Sequence, residues 1–198
     1  MFNRFRSKSG SRDPEGLLTD RLRDAFVTDA GMHCLWRPAA FASVCEYDSW
    51  ERQLGEDADI LGHIATGDFV PINIGADGAS EIEVRVGSAS SPSMLSERER
   101  AYLDVASEPY RFMSDGELRL TGIEYVYADP AACVGRLALA PGLFSVVVHL
   151  VGWDCEPGMR SSDGRPSPHA LPDFIVIVNP AGDQSAFRTD LRTFSTSP

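Results

Sequence analysis

The side chains of this chain that could do chemistry are four histidines, four cysteines and a cluster of carboxylates. His33, His63, His149 and His169 stand apart, with no HxH, HxxxH or HExxH spacing to gather a metal. His149 lies inside an apolar run and reads as a packed strand histidine. His169 sits in a proline-rich loop. With His149, Asp154 and Asp173 it forms an alternative site, provided the chain ends near Trp153 and Asp173 come together. A metal needs three or four convergent ligands, and no such set is spelled out, so neither metal nor cofactor is expected.

Cys34, Cys45, Cys133 and Cys155 contain no CxxC pair; the closest two are eleven positions apart. Reduced thiols are the expectation, with a Cys34–Cys45 bridge as the alternative. Cys155 lies between Asp154 and Glu156, whose charges disfavour a thiolate nucleophile. The serine elbow GxSxG, the phosphate loop GxxxxGK[ST] and the dinucleotide motif GxGxxG are all absent. Glu108 and Glu124 could pair for acid–base work, but solvated or turn-stabilising roles suit them better.

The sharper feature is the stretch from Glu46 to Asp59, where six carboxylates face Arg52 alone. Tyr47 and Trp50 are interleaved with Asp48, Glu51, Asp57 and Asp59. The plain reading is a solvated helix face. The functional reading is a surface that covers a basic site, in which carboxylates imitate phosphates and an aromatic supplies the anchor.

Charge points the same way. The chain carries 29 acids against 18 bases, a net charge of −11, with Lys8 the single lysine. That balance disfavours nucleic acid, which needs positive charge to displace counterions, and would steer a basic partner. The dominance of arginine over lysine suggests a GC-rich, bacterial coding genome. The longest apolar run, Leu143 to Trp153, contains Ser145 and His149 and is strand-length, so no membrane span is expected. The basic start MFNRFRSKSGSR lacks a following apolar segment, which argues against a secretory signal and for a cytoplasmic protein.

The elements that must position these residues begin after a flexible basic arm, residues 1–12; residues 13–198 read as one domain. Asp13 and Pro14 predict a helix start, with Leu18, Leu22, Ala25 and Phe26 on one face and Gly31 at the end. Cys34–Trp36 reads as a short strand, and the acidic stretch as a broken helix anchored by Trp50, Leu54 and Ile60. Residues 69–74 and 81–86 look like a hairpin closed by GADGAS. Ser96 and Glu99 form a capping box for a helix to about Val105. Two more hairpins are predicted, 111–113 with 117–121 around Ser114-Asp115-Gly116, and 135–139 with 144–151 around Ala140-Pro141-Gly142. Residues 123–127 read as a further strand, 154–172 as a long loop, and 173–178 as a buried apolar strand. The aromatics from Tyr110 to Trp153 fit core and cross-strand packing. The class is α+β: a mostly antiparallel β-sandwich or curled sheet with N-terminal helices packed on it.

The segment RLALAPGLFSVVVHLVGWD followed by LPDFIVIVNP resembles the closing half of bacterial competence nuclease-inhibitor (ComJ-like) and immunity-type β domains. The matching positions are Leu137, Leu139, Pro141, Gly142, Phe144, Val146 and Val148, then Phe174, Ile175 and Val176. The resemblance covers the last third and implies a β domain that binds a protein. The residues and the resemblance together lead to a non-enzymatic acidic binding protein, an immunity or inhibitor protein for a basic toxin or nuclease, acting through Tyr47, Asp48, Trp50, Glu51, Asp57 and Asp59. The alternatives are a small-ligand or metal-binding enzyme at the 149–173 end, and a structural subunit of an assembly.

Overall fold

A computed structural model describes residues 20–130, 134–182 and 186–195. The proposed N-terminal arm and the first turns of the predicted helix lie outside the described residues. The chain forms an α+β fold in which two sheets pack face to face. In order it has β1 (Arg21–Thr28), β2 (Met32–Trp36), α1 (Tyr47–Leu54), α2 (Asp57–Thr66), β3 (Phe69–Asn73), β4 (Gly78–Val86), α3 (Glu97–Ala101), β5 (Leu103–Ala106), β6 (Tyr110–Ser114), β7 (Glu117–Gly122), β8 (Gly135–Ala138), β9 (Gly142–Val151) and β10 (Phe174–Pro180). Sheet A runs β1-β4-β10-β9-β5, with β6 also on β9, and sheet B runs β3-β2-β7-β8. All pairings are antiparallel except β4 with β10.

The predicted helix from Asp13 to Gly31 is corrected: residues 21–28 are an edge strand paired with β4. Leu22 and Phe26 are four apart, a spacing that suits one face of a helix and, being even, one face of a strand equally well. The charges on the other face decide it. Arg21 and Arg23 on β1 reach Glu83 and Glu81 on β4, at 2.7 and 2.6 Å.

The three predicted hairpins are also corrected. In each, the two strands belong to different sheets: β3 pairs β2 while β4 pairs β1 and β10; β6 pairs β9 while β7 pairs β2 and β8; β8 pairs β7 while β9 pairs β10, β5 and β6. The turn residues therefore make corners between layers. Two of these corners brace each other: Ser114 Oγ donates to Leu139 O at 2.8 Å, and Leu139 N donates to Gly116 O at 3.1 Å. Gly116 and Gly142 hold φ of 134° and 151°, which side chains with a Cβ rarely adopt. The predicted strand 123–127 is a single 3-10 turn, Ile123–Tyr125. There Glu124 folds back to accept from Thr28 Oγ1 and Asp29 N. The helix opened by Ser96 stops at Ala101, and Leu103–Ala106 joins sheet A instead.

The main core lies between the sheets, with Ile82, Val84, Phe174, Val176, Val146 and Val148 of sheet A packed in one cluster with Leu35, Val70, Ile72, Leu118 and Leu120 of sheet B. A smaller cluster, Val151, Leu171, Ile175 and Ile177, occupies the reverse face of sheet A under Leu95, Tyr102 and Trp153. β10 is thus apolar on both faces because both are covered. α2 packs against the edge strands β3 and β6, one from each sheet, and closes one side of the sandwich. That placement presents α1 and the start of α2 outward.

Candidate functional site

The acidic stretch folds as the expected broken helix. Ser49 Oγ accepts the N–H of Glu46 at 3.0 Å and starts α1; Gly67 ends α2 in a left-handed conformation, φ 82°. Leu54, Ile60 and Ile64 are buried beneath. Asp57 and Asp59 stand in the first turn of α2, where the exposed N–H groups favour negative charge.

Tyr47 is 61% exposed and stacks on Trp50, with centroids 6.1 Å apart and planes at 21°. Trp50 is half-buried, and its Nε1–H donates to Ile123 O at 3.0 Å. Trp50 therefore fixes the platform, and Tyr47 is its exposed ring. Asp48, Glu51, Asp57 and Asp59 are all exposed. The structure places the six residues on two consecutive helices.

Sequence reasoning missed the groove beside them. A concavity of about 510 Å³ is lined by Arg52, Gln53, Asp59, His63, Thr66 and Asp68, among others. Asp68 accepts from Arg37 Nε at 2.9 Å and from Thr66 Oγ1 at 2.7 Å, and its Oδ2 lies 3.7 Å from His63 Nδ1. Burial pushes the Asp68 carboxyl up, but its contacts with His63, Thr66 and Arg37 outweigh that and hold it at about 2. The signal available in sequence was weak: Arg37 and Asp68 are far apart, and only the β2–β3 pairing brings them together.

The four residues of the alternative site do not gather: three have partners elsewhere and the fourth is exposed. His149 Nδ1 lies 3.0 Å from Ile175 O, Asp154 pairs with Arg160, and His169 is exposed on the loop. Asp173 accepts from Glu81 N and Trp153 Nε1. Glu108 and Glu124 likewise have separate partners, Arg188 and the Thr28–Asp29 turn. Among the described residues no three His, Cys, Asp or Glu side chains gather as a metal site. Cys34 is a free buried thiol whose pKa is pushed up by burial and then by Glu124, and Cys45 is free and exposed. No described helix is long and apolar enough to cross a membrane.

No protein-family model and no curated protein sequence matches the chain. Solved structures do match in fold. The crocagin biosynthetic gene J product superposes with a TM-score of 0.53 at 13% identity, over 81% of this chain and 96% of that one. ComJ of Bacillus subtilis, described as an inhibitor of the DNA-degrading activity of NucA, matches with a TM-score of 0.43 at 10% identity over the same shares. The likeness is weak, and it is one of fold.

Proposed function

We propose that this chain is a non-enzymatic acidic binding protein of the inhibitor or immunity type, which covers a basic site on a toxin or nuclease with its α1–α2 surface. The reading rests chiefly on one observation: Tyr47 projects 61% exposed from a ring platform pinned to Ile123, with exposed carboxylates on either side. An exposed aromatic ringed by charge suits an interface whose centre excludes water while its rim selects the partner by sign. The resemblance in the closing strands and the likeness of fold lead to the same group of proteins, one of which is described as a nuclease inhibitor. The surface chemistry is what brings that role to this chain.

The test is co-purification with tagged protein at low and high salt, followed by titration of the recovered basic partner. One stoichiometric, salt-sensitive partner is expected. Tyr47→Ala and the pair Asp57→Lys and Asp59→Lys should each abolish its recovery. A partner that binds these variants as tightly as the parent would remove the α1–α2 surface from the proposal.

A further inference from the structure

A second cavity of about 350 Å³ lies where the end of β3 and the start of β10 meet β4 and β9. Its walls are largely apolar: Ile74 from the end of β3, Leu150 of β9, Phe174 of β10, and Phe194 from the C-terminal segment. Phe194 lies nearly parallel to Phe174, with centroids 6.5 Å apart and planes at 10°. One residue before it, the buried Thr193 fastens the segment to the free edge of β3, its Oγ1 accepting from Asn73 N at 2.7 Å and donating to Pro71 O at 2.9 Å. Phe194 also borders a smaller cavity, which shares Asn73 and Ile74 with the first and is lined by Arg192 as well.

Asp173 also lines this space, and it is the one acidic or basic residue among the lining residues. It accepts from two neutral donors, Glu81 N at 2.7 Å and Trp153 Nε1 at 2.8 Å, and among the described residues no arginine forms an ion pair with it. The ring that feels its field is His33, wholly buried on β2 with neither nitrogen hydrogen-bonded. Burial lowers the pKa of His33 to about 4, against the pull of Asp173, so near neutral pH it carries no compensating charge. A carboxylate with no ion-pair partner, near the half-buried ring of Phe194, suits a cation carried on an apolar body. The carboxylate meets the charge, and the ring meets the body and the polarised C–H or N–H groups. The volume falls within the range of small-molecule sites.

We propose that this cavity binds a small organic cation with an aromatic or apolar body, an aralkyl ammonium compound, held by Asp173 and packed against Phe194, which itself rests on the buried ring of Phe174. The site is separate from the α1–α2 surface, and its test does not depend on any partner protein. Trp153, bonded to Asp173, is a built-in reporter.

The experiment titrates the full chain with phenethylamine, following tryptophan fluorescence and ligand-observed NMR. Phenylacetate, the same ring with opposite charge, is the control. Saturable binding of phenethylamine tighter than about 1 mM is expected, with phenylacetate at least about tenfold weaker. Asp173→Asn keeps an acceptor for Trp153 and should weaken phenethylamine about tenfold. Phe194→Leu, which keeps bulk and loses the ring, should weaken it about threefold or more without touching Asp173. Absence of saturation in the folded protein, equal binding of phenylacetate, or unchanged affinity in both variants would each overturn the proposal.

Discussion

The indole N–H of Trp50 ends on the carbonyl oxygen of Ile123, 3.0 Å away, and this bond ties α1 to the turn that follows β7. Trp50 thus has a structural duty that Tyr47, stacked above it, does not share. The two can be separated. Tyr47→Ala should change stability by less than about 0.5 kcal/mol, as exposed substitutions do, and cost about 2 kcal/mol in partner binding. Trp50→Ala should cost about 2–3 kcal/mol of folding stability, because it removes buried ring surface and strands the Ile123 carbonyl. Urea unfolding of both variants beside partner titration checks this; equal destabilisation by the two would contradict the division of roles.

Acid should unfold the protein in two stages. His33 is buried with a pKa lowered to about 4, so below about pH 6.5 the unfolded chain binds a proton that the folded one refuses. Stability therefore falls from about pH 6.5 down to about 4. The carboxyls of Asp68 and Glu99 are both held at about 2: burial raises each, but the bonds to Asp68 from His63, Thr66 and Arg37, and to Glu99 from Arg85 and Ser96, prevail. Their contribution is complete above about pH 4.5 and is lost as pH falls towards 2, on the order of 2 kcal/mol for each. His33→Leu should flatten the upper stage and leave the lower, whereas Asp68→Asn should lower stability near pH 7 and shrink the lower stage. Chemical unfolding followed across pH 2–8 resolves the two.

Local features were more legible in the sequence than pairings. Ser96 and Glu99 announce their helix because the capping box is closed within four residues, and both of its bonds form. The acidic helix pair was readable for the same reason. The corners at Gly116 and Gly142 were recognised as turns, but a turn sequence specifies a reversal and not which strand lies beside which. Ser114 and Leu139, whose bond links two corners, are 25 positions apart. The groove was illegible because Arg37, His63 and Asp68 meet only after β2 and β3 pair. β1 was misread because Leu22 and Phe26 satisfy two periodicities, and only its partner Glu83, 62 positions from Arg21, settles the choice.

The seam between β1 and the rest of the molecule depends on small residues. A Cβ on Gly122 would lie 2.7 Å from the backbone oxygen of Val27 and from the carboxylate of Glu124. The first of these cannot swing aside. Gly122→Ala should therefore push β7 away from β1 and break the bonds of Glu124 to Thr28 and Asp29, at a cost of about 2–3 kcal/mol. Faster hydrogen exchange confined to β1 and the 28–31 turn is the expected signature, and unchanged exchange there would contradict the close approach.

Arg85 joins strand to helix across the reverse face of sheet A. It pairs with Glu83 beside it on β4 and with Glu99 on α3, the latter also through Nη1 to Oε2 at 3.0 Å. The side chains of Glu83 and Glu99 are 1% and 8% exposed, so removing the guanidinium leaves two carboxylates with little water. Glu83 keeps Arg21 at 2.7 Å, but among the described residues no second cation forms an ion pair with Glu99. Arg85→Met should therefore cost about 3 kcal/mol, with most of the loss at Glu99. Glu99→Gln retains an oxygen for the Ser96 cap and removes only the charge, so on its own it should cost less. In the double variant the second change should recover part of the first, giving a coupling of at least about 1 kcal/mol in a thermodynamic cycle. Additive costs would mean that solvent, and not Arg85, stabilises Glu99, and would leave the capping box as the tie that holds α3 on the sheet.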